Sequence, residues 1–516
     1  MLPYVTARTA RASAPPSTTV WQQLLRPETS RRALSVWITA ARAVGAVVGI
    51  AVPLLLVRVF DQTTFGYYKE LFLIAGTAVP LLSFGLPASV FYLVPRHGDQ
   101  AQRLLVQSAA LLGVLGIVGA GALFFFAGEL QRFFHAPLAL YIPWLAIFVA
   151  LSIPAALLPV AAIVERRSRL VALFVTGFGA LYAIVLMLAA WLTKDLGIVV
   201  MAACGVLLLE TVALVVYLLW RFGASRSVSA RGLLREQLAY ALPFAAAALV
   251  GLLRDRVHAF YVGATMSAGQ FAVYAIGLIQ IPVLDHVTQT IGEVVVLENA
   301  GHHSAGNVAA ARATWQRAAA ALAVLLFPVF AIGEVFAPDA IAVLFGPAYG
   351  GAAAVFRINL VLLPLQVLLA SPLLRATGDV RLMVGADLAS LAVALITLVP
   401  LVHAFGTAGA VASLVAGVAT FSLIASWRNA ARLELRLVRF LPWSHLARLF
   451  AAAAASAGIA WLLVHLAPPV WRLALGPASA LALYATLVWR TSLVPASDRA
   501  WIRELFHRMR SGARHG

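Results

Sequence analysis

Asp285, His286, Gln289 and Glu293 recur at spacings of three and four within "IQIPVLDHVTQTIGEVVVLE" (279–298). On a helix those spacings place the side chains in one stripe. Carboxylates and imidazole take up and release protons, and an apolar setting favours the neutral form of each. The chemistry expected of this stripe is ion coupling by Asp285, His286 and Glu293. A second cluster, Arg254, Asp255, Arg256 and His258, interrupts "GLLRDRVHAFYVG" (251–263). A guanidinium holds phosphate through two parallel hydrogen bonds, so this cluster suits an anion. Arg254, His258 and Tyr261 share a helical face, while Asp255 and Arg256 point elsewhere and serve packing and local neutralisation. Arg42, Lys69 and Arg357 are further cations in apolar surroundings, and Glu210, Asn359, Gln366 and Asp387 are further polar groups there. Arg42, Lys69, Arg254, His258, Gln289 and Arg357 form the candidate substrate-binding set.

Nothing in the sequence suggests catalysis. There is no Gly-rich phosphate loop, no HExxH and no metal-spaced His/Cys cluster. The His302–His303 pair reads as a solvated loop. The single cysteine, Cys204, permits neither a disulfide within the chain nor a cysteine-based metal site. The chain is therefore expected to be no enzyme and to need no cofactor.

These polar groups must be held by elements that are otherwise apolar. Of 516 residues 62% are hydrophobic and 11% charged, against roughly 45–50% and about 25% in soluble proteins. Continuous apolar runs of about 20 residues are long enough to span a bilayer as helices, and barrel strands would alternate instead. Fourteen spans are expected, near 34–59, 67–94, 104–127, 139–163, 170–192, 197–220, 238–261, 271–296, 318–337, 352–374, 382–403, 407–427, 446–467 and 472–493. With a cytoplasmic N-terminus, 29 of the 38 Lys and Arg fall on the cytoplasmic side and five on the other. That bias follows the positive-inside rule, and it predicts that both termini are cytoplasmic. The net charge of +18 thus encodes topology and attraction to lipid head groups, not nucleic-acid binding.

The expected organisation is a cytoplasmic tail (1–33), a six-helix lobe (34–222), a basic linker (223–237), a second six-helix lobe (238–427), a basic amphipathic connection (428–445), two extra spans (446–494) and a basic tail (495–516). Residues 1–32 lack the apolar core and cleavage site of a secretory signal. "RNAARLELRLVRFLPW" (428–443) and "WIRELFHRMR" (501–510) have the pattern of basic helices on a membrane surface. Phe65 and Tyr68 of "TTFGYYKELF" recur as Phe271 and Tyr274 of "GQFAVYAIGL", at equivalent places if six helices repeat.

Depth separates the polar groups. Asp285 lies about 14 residues into its span, roughly 21 Å, too deep for a short side chain to reach the interface easily. A water-filled cavity and a structural pairing both account for it. Arg254 lies about 17 residues in, roughly 25 Å, which puts it towards the outer end of span 7, where an interfacial cluster and an anion-attracting cavity mouth both fit. Arg357 is placed near the outer end of span 10 and Asp387 near the cytoplasmic end of span 11.

Three stretches carry a resemblance over residues 34–493. "VRVFDQTTFGYYKELFLI" (57–74), "YALPFAAAALVGLLRDRVHAFYVGATMSAGQFAVYAIGL" (240–278) and "AVLFGPAYGGAAAVFRI" (342–358) are similar to the polysaccharide flippases of the MOP superfamily, the Wzx-type oligosaccharide translocases. The resemblance implies an all-α polytopic membrane protein of about fourteen transmembrane helices. It implies two pseudo-symmetric six-helix lobes around a central cavity, plus two C-terminal helices, with spans 1, 2, 7 and 8 lining the cavity. The implied substrate is an oligosaccharide on undecaprenyl diphosphate, flipped across the bacterial inner membrane and driven by an ion gradient. Membrane lipids, a polysaccharide polymerase and a chain-length regulator are the expected partners. A multidrug exporter of the same superfamily and a membrane glycosyltransferase or O-antigen ligase are the alternatives. The Arg-bearing rim speaks against the first and the lack of a long periplasmic loop against the second.

Overall fold

Thirteen of the expected spans reappear as helices in the computed structural model, which describes residues 45, 49, 51–97, 100–223, 231–436 and 440–493. Arg42, both terminal tails, residues 224–230 of the basic linker, residues 437–439 and the 501–510 segment lie outside the described residues. Helices are the only regular structure among those described.

After α1 (51–59) the chain runs α2 (Gln62–Leu82), α3 (Leu86–Leu93), α4 (Ala101–Phe125), α5 (Ala127–Phe134), α6 (Ile142–Ala155), α7 (Leu157–Val164), α8 (Ser168–Thr193) and α9 (Leu196–Phe222). Next come α10 (Arg231–Thr265), α11 (Ala268–Gly277), α12 (Pro282–Ser304), α13 (Val308–Phe345), α14 (Ala352–Leu360), α15 (Leu362–Gln366) and α16 (Ala370–Ala376). The last four are α17 (Val380–Phe405), α18 (Thr407–Arg432), α19 (Trp443–Val464) and α20 (Pro469–Arg490). Ten of the described helices are long and apolar enough to cross a membrane, or up to twelve with each bent pair taken as one span. That measure does not reach the expected fourteen: span 1 is described only in part, and span 8 is split into α11 and α12.

The breaks have local causes. Gly85, at φ +67°, separates α2 from α3, and the two helices meet at 42°. A left-handed φ suits glycine, which has no Cβ to clash. Pro243 lies in α10, whose two halves meet at 44°, and a proline both removes a backbone donor and clashes with the preceding turn. The expected amphipathic connection is not one helix. Helix α18 ends at Arg432, and Glu434 turns the chain at φ +55°. The Leu435 amide then closes on the Ala430 carbonyl at 2.9 Å, a helix-ending bond. Leu433 and Leu441 are buried in the bundle, so the hydrophobic face goes to protein rather than lipid.

Helices α19 and α20 pack on each other and on α13. There Phe336 fills the space beside Gly476, and Arg472 pairs with Asp339 at 3.0 Å. Large apolar side chains such as Phe125 and Leu466 face outward, as expected of a surface solvated by lipid.

Two ends of the bundle differ. At one end, α2 meets α11: Gln62 donates to the Gly269 carbonyl at 3.1 Å, and the ring of Phe65 meets that of Tyr349 at 6.2 Å. We refer to this end as the seam. The opposite, Arg-rich end is braced twice in the same way. Glu165, between α7 and α8, holds Arg221 at 3.1 Å and Arg167 at 3.0 Å. Asp379, between α16 and α17, holds Arg428 and Arg432, each at 2.9 Å. An acid after the fourth span of each expected lobe thus grips arginine at the end of the sixth.

Candidate functional site

Helix α10 is the element that joins the two halves. At its start Gln237 is buried and donates to Ser89 at 3.0 Å and Ser108 at 2.7 Å, while accepting from Gln107 at 2.8 Å. Beyond the bend the same helix packs on α17 and α18. It therefore crosses between the halves and carries its charged cluster into the space between them.

Within that cluster the three consecutive residues diverge. Arg254 donates to Asp387 of α17 at 2.9 Å and to Asp255 at 2.8 Å, and its guanidinium lies 5.9 Å from the Phe421 ring centroid of α18. Two carboxylates already neutralise it. Arg256 turns the other way, and its Nη2 comes within 3.9 Å of where a Cβ on Gly76 of α2 would stand. It is half-buried and has no carboxylate partner among the described residues. His258 is buried, with Nδ1 bonded to the Tyr274 hydroxyl of α11 and Nε2 unpartnered. The expected shared face of Arg254 and His258 thus resolves into an ion pair and a buried hydrogen bond.

The Arg254–Asp387 pair also bears on the depth arithmetic. Residue counting placed Arg254 far along span 7 and Asp387 near the start of span 11, yet they touch. Helix α10 starts at Arg231, seven residues before the expected span, and is bent by 44°, so counting from the expected span start does not give height.

Beside this pair lies a cavity of about 240 Å³ with largely apolar walls, onto which Thr288, Gln289, Gln366, Arg375 and Ser422 also open. Thr288 and Asp285 both reach Gln366 of α15, Thr288 donating at 3.1 Å. Gln289 opens onto the cavity. His286 is half-buried and Glu293 exposed on the same helix. Arg375 is exposed at the end of α16 and has no carboxylate partner among the described residues. An apolar cavity of about 690 Å³ lies between the α2–α3 break and the α10 bend, with Asp255 as its ionisable lining residue.

The other expected site residues lie apart from these cavities. Lys69 is half-buried, its Nζ 5.4 Å from the Phe65 ring centroid and 5.9 Å from that of Tyr68. Arg357 donates to the Glu334 carbonyl at 2.7 Å, joining α14 to α13. Sequence reasoning gave Arg256 to packing and local neutralisation and passed over Arg375, which reads as a loop charge. It also passed over Glu70, next to Lys69, which is fully buried with both carboxylate oxygens unpartnered. Its four-residue spacing from Gly66 was the available signal. No cluster of His, Cys, Asp and Glu able to hold a metal ion occurs among the described residues.

Residues 35–354 match the family described as "Polysaccharide biosynthesis protein". No curated protein matches the sequence. Among solved structures, the chain is similar to the lipid II flippase MurJ in an inward closed conformation, with TM-score 0.67, 10% identity, and 92% of this chain and 99% of that one covered. It is also similar to an outward-facing multidrug resistance MATE family transporter of the MOP superfamily, with TM-score 0.56, 15% identity and coverages of 81% and 99%. A MOP superfamily transporter from Pyrococcus furiosus aligns with TM-score 0.54 and 16% identity, covering 81% of this chain and 99% of that one. At these identities the likeness establishes the fold, that of a multi-pass membrane transporter.

Proposed function

This chain belongs to the polysaccharide biosynthesis protein family, and from that premise we propose that it flips an oligosaccharide on undecaprenyl diphosphate across the bacterial inner membrane. The observation that carries this reading is an amphipathic site. Arg375, without a carboxylate partner among the described residues, lines one cavity with the Gln289 and Gln366 amides and the Thr288 hydroxyl, Arg256, likewise without one, reaches towards α2 from α10, and a larger apolar cavity lies beside α10. A diphosphate loses its hydration in hydrocarbon at a cost of several kcal/mol or more. Arginine replaces that hydration with paired donors, amides and hydroxyls suit sugar, and apolar walls suit a polyprenyl chain.

The division into lobes 34–222 and 238–427 is supported by the matching Glu165 and Asp379 braces. The Arg-rich end is the cytoplasmic one by the positive-inside rule, which puts both termini in the cytoplasm and the seam on the periplasmic side. Asp285, His286 and Glu293 couple an ion gradient to transport, and Gln289 contacts substrate. Lys69, Arg254, His258 and Arg357 hold the walls of the site, and Arg42 belongs to the same set by its place in span 1. A polymerase and a chain-length regulator receive the product.

The fold likeness to multidrug transporters favours export of organic cations as a second reading. The test reconstitutes the protein in vesicles with a fluorescent undecaprenyl-diphosphate oligosaccharide and, separately, an organic cation. Flipping of the lipid-linked sugar, reduced about tenfold or more by Arg256→Ala with Arg375→Ala, is expected, since each lost charge-assisted bond is worth about 1.5–3 kcal/mol. Movement of the cation without the sugar would overturn the proposal. Full flipping by Asp285→Asn with Glu293→Gln would remove those acids from coupling.

A further inference from the structure

Glu70 stands in the middle of α2, the helix that forms one wall of the seam. Its side chain is fully buried, and neither carboxylate oxygen has a hydrogen-bond partner. A buried ionised carboxylate without partners costs many kcal/mol, and such a group stays neutral instead. The location of Glu70 gives this burial a consequence. Gln62, Gly66 and Glu70 are spaced by four residues and fall on one face of α2. The first bonds to Gly269, and the second lies against the Ala268 carbonyl. Glu70 therefore continues, about 12 Å from Gln62, the face along which α2 and α11 close on each other.

No charge nearby offsets the carboxyl. On its own helix Lys69 is turned towards the Phe65 and Tyr68 rings, and Tyr67 is the remaining ionisable neighbour. Helix α11 contributes Tyr274, which is occupied by His258. Helix α6 contains no ionisable side chain, α4 contains only Arg103 near its start, and the described part of α1 contains only Arg58, which is exposed. On α10, Arg254 is held by Asp387 and Asp255, Arg256 reaches α2 at Gly76, a turn and a half beyond Glu70, and Tyr261 is half-buried. Arg235, Glu236 and Tyr240 lie at the opposite end of α10. None of them forms an ion pair with Glu70.

We propose that Glu70 is a proton-binding site whose occupancy controls the seam between α2 and α11. With the seam closed, the carboxyl is cut off from water and remains protonated. Loss of the proton leaves a carboxylate that only an opened seam can hydrate, so deprotonation and opening are linked. The proton passes to the water that enters, and closure requires its return. This goes beyond the substrate assignment and does not depend on which lipid-linked sugar is carried.

The test uses the full chain in lipid nanodiscs, with Cys204→Ala and spin labels on Lys194→Cys and Ala348→Cys, exposed positions on either side of the seam. Interlobe distances are measured from about pH 5 to about pH 9, a window that starts near the ordinary carboxylate range and extends well above it. The open-to-closed ratio is expected to rise with pH, by up to about tenfold per unit where Glu70 titrates. Glu70→Gln should abolish that dependence and stay closed, while Glu70→Asp should retain it. An unchanged pH response in Glu70→Gln, or none in the parent protein, overturns the proposal. The pH response of the labelled protein with Glu70 intact is independent of how the Glu70 variants fold. A hydrophobic carbodiimide should modify Glu70 at low pH and lose that reaction as pH rises, and no modification at any pH would equally overturn it. Substrate flipping is not read in either experiment, so failure here is distinct from failure of the substrate assignment.

Discussion

Replacing Gly66 by alanine should pry the seam apart. A Cβ built on Gly66 falls 2.0 Å from the Ala268 carbonyl oxygen, 2.5 Å from its carbon and 3.0 Å from its Cα. These are backbone atoms of α11, so no side-chain rotation relieves the overlap. An ordinary carbon–oxygen approach is about 3.3 Å or more, so the helices must part by roughly 1 Å. Overpacking of this kind costs about 1–3 kcal/mol, equivalent to a shift of about 5- to 150-fold between two states. The strain acts only where α2 touches α11, so the closed arrangement loses stability relative to the open one while each half keeps its own core. The spin-label pair on Lys194→Cys and Ala348→Cys reads this directly as a larger population at long distance. Gly205→Ala is the control, because nothing lies within 4 Å of a Cβ there. A distance distribution for Gly66→Ala indistinguishable from that of the control would refute the reasoning.

Two further outcomes follow from ion pairs. Arg254→Ala strands Asp387, whose side chain is only 19% exposed, and should lower stability by up to about 3 kcal/mol, the low end for breaking a buried pair. Arg254→Met with Asp387→Leu should recover most of it, as followed by thermal unfolding in detergent, and equal losses in both variants would contradict the pairing. Asp379 is held below its ordinary value of 3.8 by its hydrogen bonds with Arg428 and Arg432. Its contribution is therefore present above the unfolded value and lost as pH falls through the lower folded one. Asp379→Asn should lower the melting temperature at neutral pH, and the difference should shrink as pH falls below the ordinary carboxylate value of about 4 and vanish below the lower folded one; a difference that persists there would assign the loss to packing.

The seam shows how far sequence patterns reach. The echo of Phe65 and Tyr68 in Phe271 and Tyr274 falls near two helix starts, at Gln62 and Ala268, and all four residues are buried. The echo could not indicate that the two helices lie against each other, because a repeat fixes equivalence and not contact. Gln62 bonding to Gly269, 207 residues away, is a fact of tertiary packing. The interfacial reading of 428–443 fails for a similar reason. Leucine spacing is the same whether the face meets lipid or protein, and here Leu433 and Leu441 meet protein.

Continuous apolar length and the asymmetry of arginine are properties of the chain itself, read by the bilayer without reference to any fold. They determined that this is a helical, multi-pass membrane protein, and they located nearly every span. Which charges are free is a different kind of property, because it depends on what each side chain finds across the gap. The sequence favoured Arg254 and His258 as open groups. The packed bundle gives Arg254 to Asp387, buries His258 on Tyr274, and leaves Arg256 and Arg375 without carboxylate partners among the described residues. In a medium that supplies no solvent to satisfy a charge, partnership is decided by helix geometry, and that geometry exists only in the folded bundle.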